Sequence, residues 1–212
     1  MPGSGQRVNR ELSMAIEIEL KFRLDGPEAV RRRLTQLGAR RLSRVLEVNS
    51  LFDTAEQRLL RADCGLRLRE SRPVAAASEA APAALLTFKG PRQTGLPKTR
   101  AEFETSIGDP QALRSILEQL GLRVVMIYEK RRELWQVAEC HAALDELPRL
   151  GWWLEIEGPT SEAVQAAREL LWLYDVPPVA ETYVEMVARC GQPDADGCCT
   201  LRFGTTDEQA DG

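Results

Sequence analysis

The sequence predicts an α+β fold: an eight-stranded antiparallel β-barrel with a charged interior, helices packed outside, and two pseudo-twofold halves. Two observations predict it. Segments along the whole chain alternate apolar residues with Arg and Glu, and one twelve-residue helical motif occurs twice, each copy following a strand-like Glu-x-Glu. An open sheet with one solvated face would alternate too. Its polar positions would mix Thr, Ser, Gln and Lys, however, whereas here they are almost all Arg or Glu, which suits a closed barrel with a wet, charged inside.

The elements follow in order. In Ile16 to Leu24 every odd residue is charged, so Glu17, Glu19, Lys21 and Arg23 share one strand face. Pro27 to Gly38 and Pro110 to Gly121 are the repeated helix, identical at seven of twelve positions, with Asp109 suited to cap the second copy and Gly38 and Gly121 suited to left-handed C-terminal caps. Strand faces then present Arg67 and Arg69, Thr87 and Lys89, and Arg100 with Glu102 and Glu104. Further strands present Lys130 and Arg132, Asp145, and Trp153 with Glu155 and Glu157. Two more helices are expected at about 161–173 and 182–189. Residues 1–13 read as a flexible N-terminal extension, 14–190 as the organised domain, 73–84 as a loop within it, and 191–212 as a flexible C-terminal tail.

Composition narrows the function. The 212 residues hold 28 Lys and Arg against 32 Asp and Glu, a net charge of -4 that argues against a nucleic-acid coat. No apolar run approaches the roughly 20 residues of a membrane helix. Five cysteines without CxxC spacing, and no secretory leader, exclude a secreted disulfide scaffold and fit a cytoplasmic location. A single histidine, His141, leaves no cluster for zinc, so any metal would be a hard cation held by carboxylates. Only four of the cations are lysines, and three of these, Lys21, Lys89 and Lys130, fall on the charged strand faces. Arginines and lysines beside clustered acids suit a metal-bound polyphosphate, the setting of phosphoryl or nucleotidyl transfer.

With these motifs in place, the sequence resembles the CYTH superfamily of class IV (CyaB-type) adenylate cyclases and thiamine triphosphatases, also called triphosphate tunnel metalloenzymes. The matching residues are Glu17-Ile-Glu19-Leu-Lys21, Phe52-Asp53-Thr54, Leu66-Arg67-Leu68-Arg69, Leu86-Thr87-Phe88-Lys89-Gly90 and Arg100-Ala-Glu102-Phe-Glu104, followed by Lys130-Arg-Arg132, Asp145 and Glu155-Ile-Glu157. They run in order through about residues 14 to 190.

The resemblance implies that Lys21, Arg67, Arg69, Lys89, Arg100, Lys130 and Arg132 bind a triphosphate, with Lys21, Lys89 and Arg132 also serving catalysis. It implies that Glu17, Glu19, Asp145, Glu155 and Glu157 hold Mg²⁺ or Mn²⁺, with Glu102 and Glu104 at a second metal position. Lys89-Gly90-Pro91, Lys98-Thr99-Arg100 and Glu181-Thr182-Tyr183 are more similar to the cyclase-like branch, and no lysine stands in the last helix where thiamine triphosphatases carry one. The expected activity is therefore cyclisation of ATP to cyclic AMP and pyrophosphate. The alternatives are an inorganic or organic triphosphatase releasing orthophosphate, and a non-catalytic polyphosphate-binding or nucleotide-binding barrel. The partner expected is ATP or tripolyphosphate, with neither nucleic acid nor membrane, and a homodimer is compatible with the sequence.

Overall fold

A computed structural model describes residues 15–74, 83–93, 98–193 and 197–204. The expected N-terminal extension lies outside these residues, as do most of the expected loop at 73–84 and residues 205–212. Ten strands form: β1 (Ala15–Leu24), β2 (Arg40–Asp53), β3 (Gly65–Pro73), β4 (Ala83–Lys89), β5 (Lys98–Ser106), β6 (Arg123–Val137), β7 (Cys140–Leu147), β8 (Gly151–Glu157), β9 (Gln192–Pro193) and β10 (Cys199–Leu201). The helices are α1 (Glu28–Gln36), α2 (Arg58–Arg61), α3 (Pro110–Gln119), α4 (Ser161–Leu170) and α5 (Tyr183–Cys190).

The first eight strands run in the order β2-β3-β4-β5-β1-β8-β7-β6, every neighbour antiparallel, and β6 pairs back onto β2 to close the barrel. Exchanging β1 to β4 with β5 to β8 leaves this ring unchanged, which is the topological form of the expected pseudo-twofold. The duplicated helix occupies equivalent places in the two halves. Asp109 accepts a hydrogen bond from the Ala112 amide and Pro110 opens α3, while Pro27 stands at the N-cap of α1 without a side-chain cap. Gly38 and Gly121 both take positive φ, +67° and +82°, where a side chain would be strained.

Alternation sorts the side chains. Leu20, Phe22, Leu144, Leu154 and Ile156 face outward and are covered by Val30 and Leu34 of α1 and by Val164 and Ala167 of α4. Phe52 and Leu68 face outward beneath Leu117 of α3. At one end of the barrel the inward faces turn apolar, with Met126, Tyr128, Leu147 and Trp153, and this end is filled by Tyr183, Met186 and Val187 of α5. A capping box fixes the start of α5, with Thr182 accepting from the Glu185 amide and Glu185 accepting from the Thr182 amide. Part of the segment expected as a tail is built into the fold: β10 pairs in parallel with β6, and Leu201 is fully buried against α5. No helix among the described residues is long and apolar enough to cross a membrane.

Candidate functional site

The inward faces meet in a charged lumen. Lys21 on β1 and Lys130 on β6 are 2% and 1% exposed, which is tolerable for an ammonium only beside compensating groups. Lys130 Nζ donates to Asp145 Oδ2 at 3.2 Å and lies 3.5 Å from Glu47 Oε2. Lys21 Nζ lies 4.3 Å from the centre of the Tyr183 ring, and Lys130 Nζ lies 5.1 Å from it, so one aromatic ring carries two ammoniums.

Arg132 forks onto Asp145, with Nε to Oδ1 at 2.7 Å and a terminal nitrogen to Oδ2 at 2.6 Å, and that nitrogen also reaches Glu155 Oε2 at 2.5 Å. Arg69 reaches Glu104 at 3.2 Å and lies 3.8 Å from Glu47. Lys89 pairs with Glu102 at 3.1 Å. Thr87, fully buried, donates to Glu104 at 2.7 Å.

Electrostatics follow from this mixing of signs. Burial pushes the Glu47 carboxyl upward, but Lys130, Arg132, Arg69 and Arg67 together bring it down to about 2. Glu155 is likewise driven below the usual carboxylate range, burial being overridden by Lys130, Arg132, Lys21 and Lys89. Burial raises the Tyr183 hydroxyl well above the usual tyrosine value, and Asp145 and Glu155 raise it further. It therefore stays protonated and donates to Asp145 Oδ2 at 2.9 Å. Burial opposes the charge on Arg132 and Arg67; Asp145 and Glu47 outweigh it at Arg132, and Tyr128, Glu47 and Glu102 outweigh it at Arg67.

Of the seven cations expected at a triphosphate, six meet in the lumen: Lys21, Arg67, Arg69, Lys89, Lys130 and Arg132. Arg100 donates through Nε and one terminal nitrogen to the carbonyls of Gly90 and Asp63. Arg23, on the same face of β1, is exposed. Asp145, expected as a metal ligand, is fully buried with both oxygens taken by Lys130, Arg132 and Tyr183. Asp53 caps α2, accepting from the amides of Thr54, Leu59 and Leu60.

Among the described residues no three Asp, Glu, His or Cys side chains gather closely enough to hold a metal. Glu19 and Glu157 do stand directly opposite each other on β1 and β8. Their carboxylates are hard oxygen donors of the kind Mg²⁺ and Mn²⁺ take. The Glu17 backbone is paired with that of Arg100 on β5.

Two lumen residues went unread in the sequence, Glu47 and Asn49 of β2. They alternate with Val48 and Ser50, which was the available signal. The stretch was obscured by a register irregularity between Arg41 and Ser43 and by apolar residues on both faces.

Comparison with known proteins agrees with this architecture. A CYTH domain model matches residues 15–176. A provisionally named adenylate cyclase of Methanocaldococcus jannaschii is 28% identical over 147 residues, 69% of this chain and 79% of that protein. A protein of Pyrococcus horikoshii superposes with a TM-score of 0.70 at 24% identity, over 82% of this chain and 99% of the other. A provisionally named adenylyl cyclase of Hippeastrum, described as having a dominant triphosphatase activity, superposes with a TM-score of 0.60 at 22% identity, over 84% of this chain and 96% of the other. At such identities the structural likenesses establish a common fold.

Proposed function

Since the chain belongs to the CYTH domain family, we propose that it is a metal-dependent triphosphatase that releases orthophosphate from a linear triphosphate held in the barrel. The observation that carries this reading is the convergence of Lys21, Arg67, Arg69, Lys89, Lys130 and Arg132 on one lumen closed at one end by α5. Their ion pairs with Glu47, Glu102, Glu104, Asp145 and Glu155 keep the cations extended and preorganised. A triphosphate supplies the anionic charge that these acids only partly provide.

Hydrolysis is favoured over cyclisation because a cyclase must also seat adenine. Trp153 and Tyr183 are buried edge to face, with ring centres 6.2 Å apart, and Lys21 lies against both. Both rings are thus already engaged within the protein. The Hippeastrum protein of the same fold supports the same order of preference.

In this reading Glu17, Glu19, Glu155 and Glu157 would hold Mg²⁺ or Mn²⁺, which when bound would neutralise phosphate oxygens and polarise the phosphorus. Lys89 and Arg69, paired with exchangeable acids near the lumen wall, bind the phosphate chain. Lys21, Lys130 and Arg132 stabilise charge gathering on the leaving pyrophosphate. Asp145 and Tyr183 position Lys130, Arg132 and Lys21 and do not touch metal.

Product analysis tests the proposal. With Mg²⁺ or Mn²⁺, tripolyphosphate should yield orthophosphate, and ATP should yield no cyclic AMP. Cyclic AMP and pyrophosphate from ATP, with no orthophosphate from tripolyphosphate, would establish the cyclase instead. Metal-dependent binding without turnover of either would make the barrel a binding module.

A further inference from the structure

Three side chains of the lumen, two of them buried and Arg67 half-buried, carry buried polar atoms that meet no hydrogen-bond partner in the protein. Both amide atoms of Asn49 are unpartnered, as are Glu47 Oε2 and Arg67 Nε. Asn49 is 0% exposed and Glu47 is 3% exposed. Lys130 lies 3.5 Å from Glu47 Oε2 as an ion pair, without the geometry of a hydrogen bond.

Leaving such a group unmade inside a protein carries its full desolvation penalty with no compensating bond. Three at one place therefore point to something that binds there. The place is set by register: Asn49 lies between Arg69 of β3 and Tyr128 of β6, and Glu47 lies next along the same face of β2, beside Lys130.

The unpartnered atoms are of two kinds. Arg67 Nε and the Asn49 amide nitrogen are donors and suit phosphate oxygens. Glu47 Oε2 and Asn49 Oδ1 are acceptors, and an ionised phosphate has no hydrogen to give them. They need a small donor lying next to the phosphate.

Resting on the triphosphatase reading, we infer that Glu47 and Asn49 hold the attacking water. The water gives one hydrogen to Glu47 Oε2 and the other to Asn49 Oδ1, which turns its lone pair toward the terminal phosphorus held by Arg67 and Arg69. A new O–P bond forms, the bridging P–O bond breaks, and its electron pair leaves on pyrophosphate. Both protons of the water depart on the orthophosphate, so tripolyphosphate and water become pyrophosphate and dihydrogen phosphate with charge conserved. Glu47, held ionised down to about pH 2 by the surrounding cations, is a poor base and serves to orient.

The test measures orthophosphate release by wild type, Asn49→Ala and the milder Asn49→Ser, with tripolyphosphate and with ATP in the presence of Mg²⁺. Tripolyphosphate carries no hydroxyl, so it separates a water site from a ribose site. Loss of water orientation should lower kcat about 10- to 100-fold on both substrates with KM within about twofold. An unchanged kcat, a rise in KM alone, or a loss confined to ATP would each overturn the water site while leaving the triphosphatase standing. A wild-type protein that releases no orthophosphate would remove both. If Asn49→Ala fails to fold, the same split in Asn49→Ser decides.

Discussion

Replacing Glu47 by Gln probes how the lumen is neutralised, and the structure fixes the size and pH dependence of the effect. The Glu47 side chain is buried among Lys130, Arg132, Arg69 and Arg67, and its pKa falls from 4.5 to about 2 although burial alone would raise it. A carboxyl with a folded pKa below its unfolded value stabilises the fold above the unfolded value, and this contribution is lost as pH falls through the folded one. At about 1.36 kcal/mol for each pH unit, the separation is worth roughly 3 kcal/mol near neutrality, declining from about pH 4.5 and gone by about pH 2. Glu47→Gln should therefore be roughly 3 kcal/mol less stable than wild type near neutrality, a fall in Tm of about 6–12 °C for a chain this long. Urea unfolding of both proteins, repeated at decreasing pH, measures the difference directly. The gap should close between about pH 4.5 and pH 2. A gap that stays constant with pH, or no gap near neutrality, would refute the claim that these cations depend on Glu47.

Other perturbations have equally definite outcomes. Asp145→Asn strips the charge from a fully buried carboxylate shared by Lys130, Arg132 and Tyr183, and should cost about 3–5 kcal/mol in thermal or chemical unfolding without added metal. Unchanged metal-free stability would return Asp145 to the metal ligands. Tyr183→Phe keeps the ring against Trp153 and loses the 2.9 Å bond to Asp145, so unfolding should register a loss of about 1.5–3 kcal/mol; a neutral result would mean the hydroxyl does not position Asp145. Glu157→Gln, at an exposed position, should abolish metal-dependent turnover while Tm stays within about 2 °C of wild type. Full activity at unchanged metal concentration would remove Glu157 from the metal site.

The barrel was legible because alternation is a local signal with period two. Ile16 to Leu24 shows both the strand and its inward face, and the repeated helix, with Asp109, Pro110, Gly38 and Gly121 at its ends, shows the duplication. What stayed hidden depends on contacts made far along the chain. Arg100 lies on an inward face and donates to the carbonyls of Gly90 and Asp63, contacts that no spacing reveals. Asp53 stands in a motif-like segment and turns out to cap the four-residue helix α2. Cys199 to Leu201 has no periodicity long enough to read and becomes a strand only because β6 offers a free parallel edge beside α5. Tyr183 stands in the Glu181-Thr182-Tyr183 segment with nothing to mark a tie to Asp145, and only the closed end of the barrel brings its hydroxyl there.

Whether a triphosphate occupies the barrel interior can be seen in a crystal structure of the protein with tripolyphosphate and Mg²⁺. The phosphate chain should lie inside the lumen, in contact with Lys21, Arg67, Arg69, Lys89, Lys130 and Arg132, with the metal on the face of Glu19 and Glu157. Tripolyphosphate bound on the outer surface, with the lumen ion pairs of Arg132 and Lys89 unchanged, would contradict this placement.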